Sequence, residues 1–273
     1  FYDWTHFMVK PDKKIFGTLF FSMFAAITGV GIVVPLLPVY AHDLGASGIY
    51  IGLIFGSFSI SRTFFLPYFG RLSDKKGRKP FIVAGLFAYA VVSVAFVLSK
   101  TVESLIFIRF LQGIGSAMVM PVVQAYIGEI TPPGREGFTM GMFNMSLFFG
   151  LSIGPLMGGV INDIMGLNSA FMFMGALSLI GFFLSLVFLP PTKTERIVSR
   201  ERELASWKTL LQDREIAGMF LFRFAHTTCI GIIWGFLPVF ADTQFSTSAS
   251  AIGTLVMLGV FVSGVIHVPM GWV

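Results

Sequence analysis

Apolar residues run along this chain in long stretches that are almost free of charge and are separated by short polar segments. Each stretch has about 18 residues or more, the length at which a helix crosses a hydrocarbon core of roughly 30 Å. Lipid offers the backbone no hydrogen-bond partner, so helices are the economical way to cross it. The pattern predicts eight membrane-spanning helices, at about 15–40, 49–70, 80–98, 104–128, 137–161, 170–189, 216–240 and 250–273.

The composition excludes most classes of water-soluble protein. Hydrophobic residues make up 55% of the chain and charged residues 12%, whereas soluble domains carry about 25% charged residues. One water-soluble core cannot bury eight such segments, which excludes a soluble enzyme, a nucleic-acid-binding protein and a disordered chain. The net charge of +5 is therefore no sign of nucleic-acid binding, and the single cysteine, Cys229, permits no disulfide within the chain.

The basic residues are distributed unevenly between the two sides of the predicted membrane. Fifteen of the 19 Lys and Arg fall in the N-terminal arm and in the connections on the same side, and Lys100 alone falls on the other side. By the positive-inside rule, this asymmetry predicts a cytoplasmic N-terminus. The alternative is that the basic loops bind an acidic partner. The three remaining basic residues fall within predicted spans, at Arg62, Arg109 and Arg223.

The polar segments divide the chain into four parts. Residues 1–14 form a cytoplasmic arm, 15–190 a six-helix bundle, 191–215 a cytoplasmic linker, and 216–273 the first two helices of a second bundle. Apolar residues recur in the linker at helical spacing, at Leu204, Trp207, Leu210 and Leu211. This spacing predicts a short helix on the membrane surface. Because the sequence lacks a first Met and ends in an apolar stretch, we interpret it as part of a longer protein.

The seventh predicted span repeats the first at an offset of 200 residues. Nine of the 18 positions in 24–41 are identical to their counterparts in 224–241. The second and eighth spans share a glycine spacing, at Gly52 and Gly70 and again at Gly253 and Gly271. Parallel repeats of six helices build one class of transporter around a site midway through the membrane. The repeat predicts about four further helices after the end of this sequence.

Three motifs lie in or beside these spans. Residues 70–79 read GRLSDKKGRK, residues 109–117 read RFLQGIGSA, and residues 150–159 read GLSIGPLMGG. In this order and at these spans they resemble the Major Facilitator Superfamily, and the second and third resemble its drug:proton antiporter branch of the twelve-helix type. The resemblance covers the whole chain. It implies an all-α polytopic membrane protein with the major facilitator fold of two six-helix bundles, incomplete here at the C-terminus.

The first motif is expected to form a conformational latch. Gly70 and Gly77 permit a tight turn and a close helix approach. The resemblance implies that Asp74 lies at a helix N-terminus of the second bundle, where the helix dipole favours an anion. This cluster would then hold the two bundles together in the outward-open state. We expect Arg78 to pair with Glu129 at the end of the fourth span. The alternative is a solvated basic loop that serves only topology.

Charged and polar residues within the spans are the candidates for a proton or substrate pathway. An arginine inside a span costs at least about 2.5 kcal/mol, so such a residue has a function by default. Arg109 lies one turn before Gln112 on the same helix face, and the resemblance associates it with proton transfer; the alternative is that it reaches the outer interface. Arg62 is expected near mid-membrane, as the stronger candidate for a buried charge that faces the cavity.

The sequence contains no acid inside a predicted span. All 14 Asp and Glu fall in loops or at helix ends, and the first span lacks the embedded acid of many antiporters that it resembles. The remaining proton carriers are an acid in helices beyond this sequence, Glu129, or the histidines His226 and His267, since histidine titrates near neutral pH. The alternative for each histidine is a hydrogen-bonded packing residue.

The third motif predicts close helix packing. It contains Gly150, Gly154, Pro155, Gly158 and Gly159. Three of these glycines recur every fourth residue and make one smooth helix face, and the proline removes a backbone hydrogen bond and bends the helix. The resemblance makes this the antiport-associated face and predicts packing against the eighth span, where Gly259 and Gly264 are small enough to receive it. An ordinary tight helix contact is the alternative.

Together these features predict a secondary active transporter that works by alternating access. We expect proton-coupled export of small lipophilic compounds or drugs; the alternative is an exporter or flippase of an anionic amphiphile. A membrane enzyme and a transporter-like receptor without turnover are less well supported, and no cofactor, metal or ATP-binding loop is expected. The expected partners are a small-molecule substrate, protons and the lipid bilayer, without nucleic acid. We expect a monomer that crosses a bacterial cytoplasmic membrane several times.

Overall fold

The computed structural model describes residues 13–191 and 213–270, and the side chains of the last helix as far as Val262. This part of the chain forms eight α-helices, as the hydrophobic pattern predicts. They are α1 (Lys13–Asp43), α2 (Gly48–Lys76), α3 (Lys79–Leu98), α4 (Val102–Ile130), α5 (Glu136–Met165), α6 (Leu167–Phe188), α7 (Arg214–Phe245) and α8 (Ala249–Met270). Helices α1 to α7 are long and apolar enough to cross a membrane. The predicted surface helix at residues 204–211 lies outside the described residues.

Short connections turn the chain back after each of the first five helices, so that successive helices run in opposite directions. We call the end at which Lys76, Lys79 and Arg135 lie the basic end, and the opposite end the far end. The turns contain glycines with positive φ where an L side chain would be strained. Gly77 (φ 90°) stands between α2 and α3, and Gly166 (φ 83°) stands between α5 and α6.

The first six helices share two buried apolar clusters. Nearer the far end, Ile32 and Leu37 pack with Ile54, Phe96 and Phe171. Nearer the basic end, a second cluster brings together residues of α1, α3, α4 and α5, including Leu19, Met23, Leu86, Val122 and Phe143. The closest helix pairs in this bundle are α2 with α4, α1 with α5, and α3 with α6.

Small residues allow these close contacts. In lipid the hydrophobic effect does not drive helices together, so close packing and hydrogen bonds stabilise their association. A Cβ at Gly113 would lie 2.4 Å from the carbonyl oxygen of Phe58, so α2 crosses directly over this glycine of α4. The hydroxyls of Ser22 and Ser185 hydrogen-bond at 2.8 Å and join α1 to α6. The Ser93 hydroxyl donates to the carbonyl oxygen of Phe171 and joins α3 to α6.

The two helices after the linker contact the first bundle near the far end. Gly235, Pro238 and Ala241 of α7 are buried, whereas residues 218–229, in the half nearer the basic end, are exposed in the described part of the chain. Helix α8 packs along α5. The described helices therefore meet most closely at the far end.

Candidate functional site

The first motif lies mostly within a helix. Helix α2 continues to Lys76, six residues beyond the sequence prediction, so Gly70 and Asp74 occupy its last turns. The prediction that Gly70 forms a tight turn is wrong, because the residue is helical. No described atom lies within 4 Å of a Cβ placed there, so a close helix approach at Gly70 stays a prediction. Gly77 alone makes the turn, because it follows the last helical residue and has positive φ.

Arg78 connects the ends of α2 and α4 at the basic end. Its Nε donates to Glu129 Oε1 at 2.9 Å, and its Nη1 donates to the Ser73 hydroxyl at 2.7 Å. Its Nη2 forms salt bridges with Glu129 at 2.8 Å and with Asp74. We call Ser73, Asp74, Arg78 and Glu129 the basic-end cluster. The structure thus contains the predicted pairing of Arg78 with Glu129 and adds Ser73, which the sequence analysis did not single out.

Arg78 is 6% exposed, whereas the side chains of Asp74 and Glu129 are 45% and 39% exposed. The guanidinium is therefore covered by the carboxylates and by the ends of the two helices. Asp74 reaches Arg78 from the preceding turn of α2 and keeps much of its surface open. The contact of Asp74 with a helix N-terminus of the second bundle remains a prediction, because the described residues do not include such a contact.

Arg109 lies in the interior of the first bundle. It is 2% exposed, and its Nη1 donates to Gln112 Oε1 at 2.6 Å. Its guanidinium carbon lies 4.4 Å from the ring centroid of Phe58 and 5.2 Å from that of Phe55, distances at which a cation is attracted to a ring face. The alternative that Arg109 reaches the outer interface is wrong, because α2 crosses α4 here and covers the side chain.

Arg62 is less buried than the sequence analysis expects. It stands midway along α2 and is partly exposed. Its Nη2 donates to Met120 Sδ at 2.6 Å. The expectation that Arg62 is the more deeply buried of the two arginines is therefore wrong, since hydropathy gives depth along a helix and not the face that is covered.

In the described part of the chain, the two arginines have no carboxylate partner. The Nε atoms of Arg62 and Arg109 are buried there without a hydrogen-bond acceptor. Rings, an amide and a thioether, from Phe55, Phe58, Gln112 and Met120, make the contacts instead. The site is therefore cationic and contains unused hydrogen-bond donors, which fits binding of an anionic or acidic group. The sequence could not reveal the rings and the thioether, because their side chains are typical of any span.

The smooth glycine face of α5 packs against α1. A Cβ at Gly154 would lie 2.7 Å from the carbonyl oxygen of Thr28, and one at Gly158 would lie 3.1 Å from Cα of Ile32. Gly150 contacts Ile27 and Thr28 in the same way. The prediction that this face packs against the eighth span is therefore wrong, because α1 occupies it.

A neighbouring face of α5 makes the contact with α8. A Cβ at Gly159 would lie 2.2 Å from the carbonyl oxygen of Ala249, and one at Gly253 would lie 2.2 Å from that of Pro155. The predicted partner Gly259 has open space around it in the described residues, and Gly264 lies outside the described side chains. The motif packs on two sides, because its glycines at positions 158 and 159 point in different directions around the helix.

A carboxylate at the far end joins the two parts of the chain. Asp163, at the end of α5, accepts a hydrogen bond from the N–H of Ala249 at 3.1 Å and another from the N–H of Ser250 at 2.8 Å. These are the first residues of α8, where unsatisfied N–H groups and the helix dipole favour an anion. We call this contact the far-end cap. Asp163 lies four residues after Gly159 and hence on the same helix face, a spacing that could have identified it.

His226 lies on an exposed face of α7 in the described part of the chain. Its ring stacks against Phe222, with ring centroids 6.3 Å apart. The structure does not bring His226 to Arg62 or Arg109, and the side chain of His267 lies outside the described residues. Arg223 and Cys229 are exposed on the same helix.

Apolar helices that join closely at one end, with buried arginines between them, are features of a polytopic membrane transporter. The sequence pattern of the Major Facilitator Superfamily matches residues 19–273. The chain belongs to this superfamily. Its members are transporters and not enzymes, as the sequence analysis predicts. Seven of the described helices are long and apolar enough to cross a membrane.

Two relatives show how the similarity is distributed. An MFS-type transporter of Methanocaldococcus jannaschii is 33% identical over 256 residues, which cover 92% of this chain and 66% of the relative. The quinolone resistance protein NorA of Staphylococcus aureus is 33% identical over 182 residues, which cover 67% of this chain and 46% of NorA. The chain thus spans about half to two thirds of the length of the curated relatives that it matches.

Solved structures share the fold. The human organic anion transporter MFSD10 (TETRAN) matches with a TM-score of 0.66 and 16% identity, over 92% of this chain and 70% of that one. A bacterial homologue of the human lysosomal transporter Spinster, in an inward-facing and occupied conformation, matches with a TM-score of 0.74 and 16% identity, over 90% and 57%. The chain therefore has the major facilitator fold, represented by the first six-helix bundle and two helices of the second.

Proposed function

We propose that the complete protein is a proton-coupled antiporter that exports small lipophilic compounds, including drugs, by alternating access. The observation that best supports this proposal is the arrangement of the helices. The far end is closed by the tight contacts of Gly159 and Gly253 and by the far-end cap, while residues 218–229 of α7 are exposed toward the basic end. With the basic end cytoplasmic, as the positive-inside rule predicts, this arrangement corresponds to an inward-facing state.

The basic-end cluster and the far-end cap have complementary roles in this proposal. Asp74 keeps 45% of its side chain exposed and is available to a helix N-terminus of the second bundle when the basic end closes. Asp163 makes the equivalent contact with α8 when the far end closes. Each state thus has one carboxylate on a helix N-terminus, and each interaction is broken when the other forms.

Export of drugs and coupling to protons are supported by similarity and by Arg109. The quinolone resistance protein NorA matches two thirds of this chain, and Arg109 with Gln112 occupies the second motif, buried as a cation without a carboxylate in the described residues. An acid that approaches this guanidinium would be held deprotonated until the helices move. We propose that such an acid belongs to the helices of the complete protein that this sequence does not include. We also propose that the protein is a monomer in a bacterial cytoplasmic membrane, with a cytoplasmic N-terminus.

The experiment is transport by the complete protein in proteoliposomes. A pH gradient should drive efflux of a lipophilic cationic dye, and dissipation of the gradient should stop it. Arg109→Gln should slow this efflux, and Arg214→Gln, an exposed arginine at the start of α7, is the matched control. If the dye moves at the same rate with and without the gradient, the coupling is not to protons.

A second candidate is export of an anionic amphiphile. It is favoured by the two guanidiniums, Arg62 and Arg109, that lack carboxylates in the described spans and retain unused Nε donors. Binding of a cationic dye and of an anionic lipid analogue to the purified protein, compared with Arg62→Ala, separates the candidates. If only the anion binds and binding requires Arg62, the drug proposal is wrong.

A further inference from the structure

A cavity at the basic end combines positive charge with an apolar wall. It lies between the first turns of α1 and α5, has a volume of about 200 Å³, and is lined by Lys13, Phe16, Arg135, Phe138, Thr139 and Met142. The described residues that line it include two cations and no acid. The cavity is remote from the buried arginines and from the far-end cap, so neither the proposed transport pathway nor the closure of the far end explains it.

The charges around this cavity are not neutralised within the described residues. No described carboxylate pairs with Lys13 or Arg135. The acid that follows Arg135 in sequence, Glu136, accepts a hydrogen bond from the N–H of Gly134 at 3.1 Å, which holds its carboxylate at the turn. Arg135 precedes α5 and makes no side-chain cap, so the free N–H groups of the first turn add partial positive charge. An anion at this position is therefore favoured by both side chains and by the helix.

The apolar wall continues from the cavity along α5. Phe138 and Met142 are 69% and 39% exposed, and Met145 and Phe149 are 48% and 46% exposed. These four residues recur at helical spacing and form one apolar face. From Phe138 to Phe149 this face runs from the polar surface into the hydrocarbon region. An acyl chain takes the same direction below its headgroup.

We propose that this cavity binds a phospholipid with an anionic headgroup from the leaflet at the basic end. The phosphate lies between Lys13 and Arg135, and an acyl chain follows Phe138 and Met142. Basic pockets between membrane helices bind anionic headgroups by charge, and the apolar face adds the energy of chain burial. The proposal does not depend on which compound is transported, because lipid binding is measured without transport.

The test is binding of phosphatidylglycerol to the purified, complete protein, measured by native mass spectrometry against a phosphatidylcholine background. Each basic residue near the membrane surface contributes to binding, so Lys13→Gln and Arg135→Gln should each weaken binding about fivefold, and the double variant about thirtyfold. The matched control is Lys75→Gln with Lys76→Gln, at the same end and outside this cavity, which should weaken binding less than twofold. An unchanged elution profile and melting temperature show that the variants fold.

Two further measurements distinguish a bound lipid from a bound free anion. Phe138→Ser keeps both cations and should still weaken binding of phosphatidylglycerol, while millimolar inorganic phosphate should not displace the lipid. If inorganic phosphate displaces it fully, the site binds free anions and the lipid proposal is wrong. The proposal is also wrong if the wild-type protein retains no phosphatidylglycerol above phosphatidylcholine, or if the double variant binds it as the wild type does.

Discussion

At the residue scale, the charges of Arg78 and Asp163 each have a local structural reason. Arg78 is neutralised by two carboxylates, and Asp163 satisfies the N–H groups at the start of α8. Arg109 differs, because aromatic rings and the Gln112 amide accommodate it within the described residues. A buried charge without an opposite charge is costly, so Arg109 is the residue whose retention most needs a functional explanation.

Replacing Arg109 should impair transport more than folding. Arg109→Lys keeps a positive charge and loses the planar contacts with Phe55 and Phe58. A desolvated cation–π contact is worth about 2 kcal/mol, so pH-driven efflux should fall by about ten- to thirtyfold. Efflux rates in proteoliposomes measure the effect, with Arg214→Lys, a change at the exposed start of α7, as the control. Full activity of Arg109→Lys would show that charge alone suffices.

Replacing Asp163 should destabilise the closed far end. Asp163→Asn removes the negative charge and one of the two acceptors for Ala249 and Ser250, and a lost helix cap costs about 1 kcal/mol. The ratio of closed to open far end should fall about fivefold. A cavity at the far end is lined by Leu36 and Asp163, among other residues. In a Cys229→Ser background, the Leu36→Cys variant should react faster with a maleimide when the far end opens more often.

The matched control for this experiment is Asp242→Asn. Asp242 lines the same cavity, and its carboxylate makes no hydrogen bond to α8 among the described contacts. Equal labelling rates for the two variants would mean that local charge, and not the contact with α8, sets the accessibility of the far end.

At the element scale, α5 is the helix that connects the two parts of the described chain. One face packs on α1 through Gly154 and Gly158, and the next packs on α8 through Gly159. Two faces of small residues on one helix allow α1 and α8 to approach it without changing its shape. A movement of α8 against α5 can thus occur while α1 and α5 stay together.

Substitution on the α1 side should lower the stability of the whole bundle. Gly154→Val places a side chain against Thr28 and Gly31, and overpacking costs about 1–3 kcal/mol. The melting temperature in detergent should fall by several degrees. The matched control, Gly141→Val on the same helix, has open space and should leave the melting temperature nearly unchanged. Equal effects of the two substitutions would contradict the α1–α5 packing.

At the scale of the whole molecule, we propose that different carboxylates control the two ends. The far-end cap joins the two parts in the described arrangement, whereas Asp74 is half exposed in the basic-end cluster. An equilibrium between two states shifts by the difference in the stabilisation of each state. Changes at the two ends should therefore act in opposite directions.

Asp74→Asn should favour the arrangement in which the far end is closed. Arg78 keeps its contacts with Glu129, so insertion should be normal, while transport falls because the alternative state loses its latch. Labelling of the cysteine at Leu36 should become slower, opposite to the effect of Asp163→Asn, and the double variant should label near the wild-type rate because distant effects add. Normal transport by correctly inserted Asp74→Asn protein would exclude the latch.

Charge and hydropathy in the sequence alone determined the number and order of the helices in the described part of the chain and the pairing of Arg78 with Glu129. These properties depend on local composition and on which helix ends lie on the same side of the membrane. The depth of a residue along its helix also followed, as for Arg62 midway along α2.

Which face of each helix is buried against a neighbouring helix was decided only by the tertiary structure. Arg109 is buried because α2 crosses α4 at Gly113, the glycines at positions 154 and 158 meet α1, and Asp163 reaches the start of α8. In a span that is apolar all round, periodicity does not distinguish the face toward lipid from the face toward a neighbouring helix. Close packing between particular helices makes that distinction, and it depends on contacts between residues far apart in the chain.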